Sequence, residues 1–300
     1  MSAAVLSRSL TVSYACLADR ADAIRAPQDR DVEVLVLLQG DHSRAVAPPR
    51  WDALVSVPGR GVARSRNAAI QFAGRRYLLF CDDDVQVRLD GVLAGVEHLQ
   101  RTGAALALGR GVTPDGRLRK TYLTNRPTRL RLTNAAKAAT YEMLVDVEQV
   151  RAAGLRFDER FGAGARYYLG DEYLFIADLL RAGLTAHAVP YIFGVHPEQS
   201  SGTRWGGADL HVRAIVLNEV FGRRAAPARA AFAARRHRQM GGWRPALQFV
   251  LDRAVADGPR PRLLGAAAAA EPQVVMLPDR SVGVDAEPAS SLLSTHVAHG

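Results

Sequence analysis

Short apolar runs alternate with amphipathic stretches through the first half of the chain. The apolar runs are rich in Val and Leu and predict buried strands at 10–17, 32–38, 52–57, 77–81 and 104–108. Between these runs, apolar residues recur at helical spacing over 63–73 and 89–102. Strands that alternate with helices are typical of an α/β fold, in which a mainly parallel central sheet is flanked by helices.

The same two patterns return in the second half after an irregular stretch. Strands are predicted at 141–147 and 185–193, and helices at 147–153, 171–182, 209–221 and 228–238. The periodicity is lost between residues 109 and 135, where Pro114-Asp115-Gly116 indicates a turn in a polar, basic stretch. A long irregular loop within a compact domain is more often functional than idle.

These elements divide the chain into one domain and two appendages. We assign residues 1–220 to the α/β domain, with halves at 1–108 and 109–220. Residues 221–264 form a basic helical extension, and residues 265–300 form a tail rich in Ala, Pro and Ser. No apolar run approaches the ~20 residues that a membrane-spanning helix needs.

The composition is that of an ordinary globular protein, with 48% hydrophobic, 23% charged and 7% aromatic residues. It excludes disordered, collagen-like and low-complexity classes. Cys16 and Cys81 each end a predicted strand, so both are interpreted as small core residues of a protein in a reducing compartment. The absence of Cys-x-x-Cys and Cys/His spacing argues against structural zinc.

The net charge of +9 is concentrated in two segments. Residues 101–131 hold eight basic and one acidic side chain, and residues 221–262 hold ten basic and two acidic ones, so the rest of the chain is acidic. One interpretation is that both segments face an anionic partner such as a phosphate, a membrane surface or nucleic acid. The other is that an arginine-rich composition simply decorates solvated faces.

The strongest candidate site is the triplet Asp82-Asp83-Asp84, which follows the apolar strand 77–81 directly. In open α/β sheets, ligands bind beyond the carboxyl ends of the strands. Adjacent carboxylates repel one another unless a cation offsets them, and oxygen ligands suit Mg²⁺ or Mn²⁺. Extended backbone would place Asp82 and Asp84 on one side and Asp83 on the other. The alternative is that these aspartates only cap a turn.

Three further motifs are weaker by themselves. Gly61, Arg64 and Arg66 belong to a loop that opens a helix, where amides and guanidinium groups favour a diphosphate. Asp171-Glu172 opens another helix and offers a general base, although acidic residues favour any helix N-terminus. His196, just past a strand, is either a metal ligand or an ordinary surface histidine.

In this combination and order, the motifs resemble the inverting family-2 glycosyltransferases of the GT-A fold. The resemblance covers about residues 8–220. The matching positions are Val12–Arg20, Gln39, Gly61, Arg66, Asn67, Asp82–Asp84, Phe157–Gly162, Asp171–Glu172 and His196–Gly202. The resemblance implies a nucleotide-sugar donor, UDP-linked, over the first half of the sheet. It also implies a saccharide or lipid-linked saccharide acceptor in the second half.

The resemblance also implies roles for individual residues. It implies that Glu172 is the catalytic base, with Asp171 as the alternative. It also implies that Asp84, His196 and Asp82 are the ligands of Mn²⁺ or Mg²⁺. Donor contacts fall on Ala18, Asp19, Arg20, Gln39, Gly61, Arg64, Arg66, Asn67, Asp82 and Asp83. The turn Leu17–Arg20 departs from the Thr- and Asn-containing turn usual in the family.

These assignments predict a metal-dependent inverting transfer, with residues 109–133 as a mobile lid or acceptor loop. The basic segment 221–262, which contains Trp243, is expected to hold a lipid-diphosphate acceptor or to meet the membrane surface. The expected location is cytoplasmic or peripheral at the inner face of the cell membrane, with no nucleic acid partner. The alternatives are a nucleotide-sugar hydrolase or nucleotidyltransferase, and a non-catalytic protein that binds polyanions or membranes.

Overall fold

A computed structural model describes residues 2–40, 51–123, 125–196, 207–258 and 272–275. The strands are β1 (Leu10–Leu17), β2 (Glu33–Gln39), β3 (Ala53–Ser56), β4 (Tyr77–Asp82), β5 (Gln86–Val87), β6 (Leu106–Val112), β7 (Thr128–Arg129), β8 (Met143–Asp146), β9 (Ala186–Val195) and β10 (Gln273–Val275). The helices are α1 (Ala3–Ser7), α2 (Val62–Phe72), α3 (Leu89–Thr102), α4 (Val147–Ala152), α5 (Asp171–Arg181), α6 (Gly207–Phe221), α7 (Ala225–Arg236) and α8 (Trp243–Leu251). Short 3₁₀ turns cover Ala18–Ala23, Thr140–Glu142 and Gly222–Arg224.

The described strands form one sheet in the order β10-β3-β2-β1-β4-β8-β6-β9-β5, with β7 paired to β9. Strands β3, β2, β1 and β4 are parallel, as predicted. Strand β8 runs antiparallel between β4 and β6, while β6 and β9 are parallel to each other. The α/β class is confirmed, and the predicted mainly parallel sheet is mixed in its second half because β8 enters it in the reverse direction.

This topology brings several chain ends to one edge of the sheet. Strands β1, β2, β4, β6 and β9 all end there, since β8 reverses the direction twice between β4 and β6. The same edge receives the start of β8 and the 3₁₀ turn before it. Polar residues that follow these strands therefore meet at a common rim, which is where ligands bind in open α/β sheets.

Helices cover both faces of the sheet, and strand residues alternate between two cores. On β4, Leu78 and Phe80 belong to the core beneath α2, α4, α5 and α6. Tyr77, Leu79 and Cys81 belong to the opposite core, beneath α1 and α3. Alternation of this kind fixes the strand register, because a shift by one residue would exchange the two faces.

The predicted elements mostly agree with the structure, and both cysteines are buried free thiols as predicted. Helix α3 has its predicted bounds, and residues 109–112 extend β6 into the stretch predicted to be irregular. Helix α8 and strand β10 were not predicted. Strand β10, which lies within the predicted tail, pairs antiparallel with β3. None of the described helices has the length and apolar character needed to cross a membrane.

The stretch predicted to be a mobile lid is anchored to the domain at its centre. Lys120 Nζ donates to Glu142 Oε2 at 2.5 Å, and Tyr122 Oη donates to Glu142 Oε1 at 2.6 Å. The Gly111 amide donates to Tyr122 Oη at 2.7 Å. Because Glu142 is fully buried, these contacts hold residues 120–122 against β6 and the 3₁₀ turn before β8.

Candidate active site

A buried arginine lies at the centre of the rim. Arg66, in the second turn of α2, is 5% exposed, and its guanidinium donates to the Asp171 carboxylate. The same group lies 3.5 Å from Glu172 Oε1 and 3.9 Å from Asp82 Oδ1, and it stacks 5.5 Å over the Phe157 ring. One cation therefore offsets carboxylates from both halves of the sheet, which a buried charge requires.

The two acidic residues at the start of α5 differ in access. Gly170 precedes the helix with φ of 98° and packs against Val216, where any side chain would collide. The Asp171 side chain is 4% exposed, and that of Glu172 is 20% exposed. Thr140 Oγ1 donates to Glu172 Oε1 at 2.7 Å and fixes its direction. Glu172 is thus the carboxylate of the pair that a ligand can reach.

The environment also separates the pKa values of the pair. Burial and the neighbouring Glu172 carboxylate raise the pKa of Asp171 to about 8. Burial alone would raise the pKa of Glu172, but the Arg66 guanidinium and the Thr140 hydroxyl outweigh it and lower that pKa. Near neutral pH, the single negative charge of the pair therefore lies on Glu172, where it can accept a proton.

The three aspartates after β4 face different partners. Asp83 Oδ1 forms an ion pair with Arg20 at 2.7 Å, and Asp84 Oδ1 lies 3.5 Å from His196 Nε2. Asp82 faces Arg66, and burial raises its pKa. The extended backbone assumed for these residues ends at Asp82, because a turn follows in which the Val85 amide donates to the Asp82 carbonyl at 3.2 Å.

Burial raises the pKa of Asp83 to about 6, against the opposite effect of Arg20. A carboxyl group with a pKa in this range accepts hydrogen bonds readily at neutral pH and loses its charge in mild acid. Arg20 belongs to the 3₁₀ turn after β1. Asp83 and Arg20 together therefore place a polar pair on the β1 side of the rim, apart from Arg66 and Glu172.

His196 is positioned by groups from three segments. Its amide donates to the Val112 carbonyl at 3.0 Å, and its ring stacks on Tyr141 with centroids 5.2 Å apart. Arg119 in turn donates to Tyr141 Oη at 3.2 Å. These contacts direct the imidazole toward Asp84 and restrict its motion.

The predicted metal ligands are only partly brought together. Within the described residues, no group of three or more His, Cys, Asp or Glu side chains is arranged to hold a metal ion. Asp84 and His196 approach each other, and Asp82 lies close to Arg66. One carboxylate and one imidazole fit a Mn²⁺ or Mg²⁺ ion that takes its remaining ligands from water and from the phosphates of a substrate.

Two predicted donor contacts make their hydrogen bonds inside the protein. Gln39 Nε2 donates to the Gly61 carbonyl at 2.9 Å, so it supports the loop before α2. Asn67 exchanges hydrogen bonds with the Phe157 backbone at 3.0 and 2.8 Å. Both amides therefore shape the rim from behind, and neither is exposed.

Four of the other predicted donor contacts lie nearer to solvent. Ala18 is half-buried, and Asp19 and Arg20 are exposed beside the end of β1. Arg64 is half-buried and forms an ion pair with Glu159 at 3.3 Å. Gly61, with φ of 123°, is buried directly before α2.

Three residues of the site were not predicted from the sequence: Thr140, Tyr141 and Arg119. Thr140 and Tyr141 belong to the 3₁₀ turn before β8, which reaches the rim because β8 lies beside β4. The signal that could have found them is a threonine and an aromatic residue immediately before a strand. Arg119 is one of several arginines in the irregular stretch, and no pattern distinguishes it from the others.

An open cleft of about 510 Å³ lies beside β6 in the second half of the sheet. Its lining is polar and basic, and consists of Arg110, Leu118, Lys120, Thr121, Tyr122 and Asn125. Tyr122, which lines the cleft, is hydrogen-bonded to Gly111. The next residue, Val112, accepts a hydrogen bond from the His196 amide, so the cleft adjoins the rim. It is large enough to accept part of a second ligand.

Residues 29–159 match the sequence model of the family described as glycosyl transferase family 2. Comparison with curated proteins gives no match. Among solved structures, residues 1–349 of S. aureus TarS share 11% identity at a TM-score of 0.52, over 77% of this chain and 72% of that one. A longer TarS chain gives 12% identity and a TM-score of 0.50, over 76% and 43% of the two chains. At these identities the likeness shows the fold.

A third structure is similar at a TM-score of only 0.46. It is glucosyl-3-phosphoglycerate synthase from Mycobacterium tuberculosis in complex with Mn²⁺, UDP and glucosyl-3-phosphoglycerate. Its identity to this chain is 18%, over 73% of this chain and 82% of that one.

Proposed function

Since residues 29–159 match the model of glycosyl transferase family 2, we propose that the protein transfers a sugar from a UDP-linked donor to a hydroxyl group of a saccharide or lipid-linked saccharide. The observation that carries this proposal is the arrangement of three groups along one sheet rim. These are the Arg20–Asp83 pair, the Asp84–His196 pair, and Glu172 held by Arg66 and Thr140. They would supply a polar contact, a cation site and a base.

The nucleoside of the donor is placed at the end of β1. Asp83 can accept hydrogen bonds from the ribose hydroxyls, because Arg20 offsets part of its charge and holds its carboxylate in place. Ala18 and Asp19 belong to the same turn and border this position. The first turn of α2, with the half-buried Arg64 on it, would face the diphosphate.

Asp84 and His196 would hold the divalent cation, Mn²⁺ or Mg²⁺. A bound cation of this kind neutralises negative charge on a departing diphosphate. Asp84 contributes an oxygen ligand, and His196 contributes Nε2 as a neutral imidazole. Tyr141 stacks on the His196 imidazole and keeps its plane fixed, so this side chain does not have to become ordered when the donor binds.

The transfer step is a direct displacement at the anomeric carbon. Glu172 accepts the proton of the acceptor hydroxyl while the oxygen forms its bond to that carbon. The bond from the anomeric carbon to the diphosphate breaks in the same step, and the electron pair leaves with the diphosphate. Attack from the face opposite the leaving group inverts the configuration. Asp171 does not act as the base, because Arg66 and the surrounding loops enclose it.

The acceptor is placed in the second half of the sheet, where the cleft beside β6 adjoins the rim. Lys120 and Tyr122 line this cleft and are both anchored to the buried Glu142, so its floor is fixed in the absence of a ligand. A fixed floor reduces the entropy lost when the acceptor binds. This arrangement favours an acceptor loop that is largely formed in advance.

A thermal-shift panel tests the proposed function. The protein is heated with UDP-, GDP- and ADP-linked sugars, each with and without Mn²⁺. At a hundred times its dissociation constant, a ligand stabilises the native state by about 2.7 kcal/mol. We expect a rise in melting temperature of several degrees with a UDP-linked sugar and Mn²⁺ together, and a smaller rise with either alone.

The same samples are then assayed for free sugar and for transfer to added saccharides. Retention of the intact donor until an acceptor is added supports transfer. Rapid release of free sugar without any acceptor would favour a hydrolase. No shift with any nucleotide sugar would contradict the proposal.

A further inference from the structure

Helix α8 carries a row of large apolar side chains on its outer surface. Trp243, Leu247 and Leu251 follow one another at four-residue spacing and are 64%, 60% and 66% exposed. Residues at this spacing lie on one face of a helix. These three residues form an exposed apolar row, which we call the outer stripe. Val255, beyond the end of α8, is 64% exposed as well.

The opposite side of α8 already anchors the helix to the domain. Ala246 and Phe249 are buried, and the Phe249 ring lies 5.6 Å from that of Phe232 on α7. The fold therefore needs only the inner side of α8 to be apolar. A surface helix is normally polar on its outer side, since exposed apolar area is unfavourable in water. The outer stripe is thus not explained by the packing of the domain.

The helical segment that carries the outer stripe is rich in exposed arginines. The ring of His237, at the end of α7, stacks on Trp243 with centroids 4.1 Å apart, which brings the basic last turn of α7 against the start of α8. Described residues 221–258 contain eight arginines and two aspartates. The exposed arginines of this segment are Arg223, Arg224, Arg235, Arg238, Arg244 and Arg253. The stripe therefore lies within a strongly positive surface.

We propose that this surface binds the face of a membrane that contains anionic lipid. The outer stripe enters the boundary between headgroups and acyl chains, with Trp243 at the level of the headgroups. The surrounding arginines contact lipid phosphates, each contributing a favourable interaction that falls off within a Debye length. This inference does not depend on the proposed sugar transfer.

Membrane lipid fits the surface better than two other partners. Nucleic acid would use the arginines but would not require a row of Leu and Trp side chains on a helix. A second copy of the chain would bring two arginine-rich surfaces together across a two-fold axis, and like charges repel. An anionic lipid surface uses both the apolar and the positive part.

The surface is rigidly connected to the second half of the sheet. Arg160 donates to the Gly258 carbonyl at 2.8 Å, and the Asp257 amide donates to Tyr167 Oη at 3.0 Å. Both partners lie in the loop that leads into α5, the helix that carries Glu172. Binding to a membrane would therefore hold the rim at a fixed distance from the lipid surface.

Flotation of the full-length protein with lipid vesicles tests the proposal. Vesicles of phosphatidylcholine alone are compared with vesicles that contain phosphatidylglycerol, at low and high salt. We expect binding only to the anionic vesicles, weakened by salt because charge is screened. The triple variant Trp243→Ser/Leu247→Ser/Leu251→Ser should bind at least about tenfold more weakly. The control is Val5→Ser, which changes a residue that is 48% exposed on α1 and should leave binding unchanged.

Tryptophan fluorescence gives a second readout. Trp243 is exposed, so insertion should shift its emission to shorter wavelength, and Trp243→Phe should abolish the shift while vesicle binding persists. Equal binding to neutral vesicles, full binding by the triple variant, or a shift that persists in Trp243→Phe would each overturn the proposal. So would a dimer, or binding to an oligonucleotide, that the triple variant loses while vesicles remain unbound. Melting curves establish that each variant is folded.

Discussion

Replacement of Glu172 with Gln is expected to reduce sugar transfer by roughly 10²- to 10⁴-fold, the usual contribution of a positioned general base. The amide keeps the size of the side chain and can still accept from Thr140 Oγ1, which is 2.7 Å away. It cannot take a proton from an acceptor hydroxyl. Donor binding should therefore persist, since the residues assigned to the nucleoside and the cation are unchanged. Turnover and UDP affinity are measured on the same preparation.

The matched control is Asp171→Asn, one position earlier on the same helix. Asp171 is enclosed beside Arg66, and burial with the Glu172 charge raises its pKa to about 8, so it is mostly protonated near neutral pH. The Asp171→Asn variant should therefore retain far more transfer activity than Glu172→Gln at equal protein concentration. If Asp171→Asn lost turnover while Glu172→Gln kept it, the base would be Asp171 and the assignment would be wrong.

Replacement of Arg66 with Met is expected to lower the free energy of unfolding by about 3–5 kcal/mol, the cost of leaving buried charges without their partner. Arg66 is 5% exposed and offsets Asp171 and Glu172. The loss in the free energy of unfolding should be smaller at low pH. Without the cation, the folded-state pKa of Asp171 rises further and that of Glu172 is no longer held down. A folded-state pKa above the unfolded value means that stability is present in acid and lost as the pH rises through that pKa. Urea unfolding at several pH values measures both effects.

Arg64→Met is the control for this substitution, two residues away on the same helix. Arg64 is 36% exposed and forms a single ion pair with Glu159 at 3.3 Å, so its removal should cost about 1 kcal/mol or less. Similar losses in the two variants, or a loss in Arg66→Met that does not change with pH, would contradict the role given to Arg66.

The central strands could be predicted because their signal is local. Strands β2 and β4 hold continuous apolar runs, and β1 has an apolar residue at every second position. Helix α3 is followed by Gly103, whose φ of 68° closes a helix. Helix α8 was missed because it is apolar on two sides and has Pro245 in its first turn, which hides the usual periodicity. The reversed direction of β8 and the pairing of β10 depend on contacts distant in sequence, which no local pattern records.

The part of the candidate site that could be predicted consists of charged residues near the ends of strands. The aspartate triplet, the acidic pair and His196 all lie at the rim, since the topology places those strand ends together. The direction in which each side chain points was harder to predict from the sequence. Gln39 and Asn67 turn inward to hold backbone groups, and Thr140 reaches Glu172 only because β8 lies beside β4. Which way a side chain points depends on the packing around it, and a sequence motif does not carry that information.

Titration of the protein with UDP, with and without Mn²⁺, tests the central proposal most directly. The variant is Asp84→Asn, and the control is Asp90→Asn, an exposed aspartate at the start of α3. We predict that Mn²⁺ strengthens UDP binding at least about tenfold in the unchanged protein and in Asp90→Asn, and has little effect in Asp84→Asn. The same metal-dependent gain in Asp84→Asn, or no gain in the unchanged protein, would contradict the assignment of the cation to Asp84 and His196.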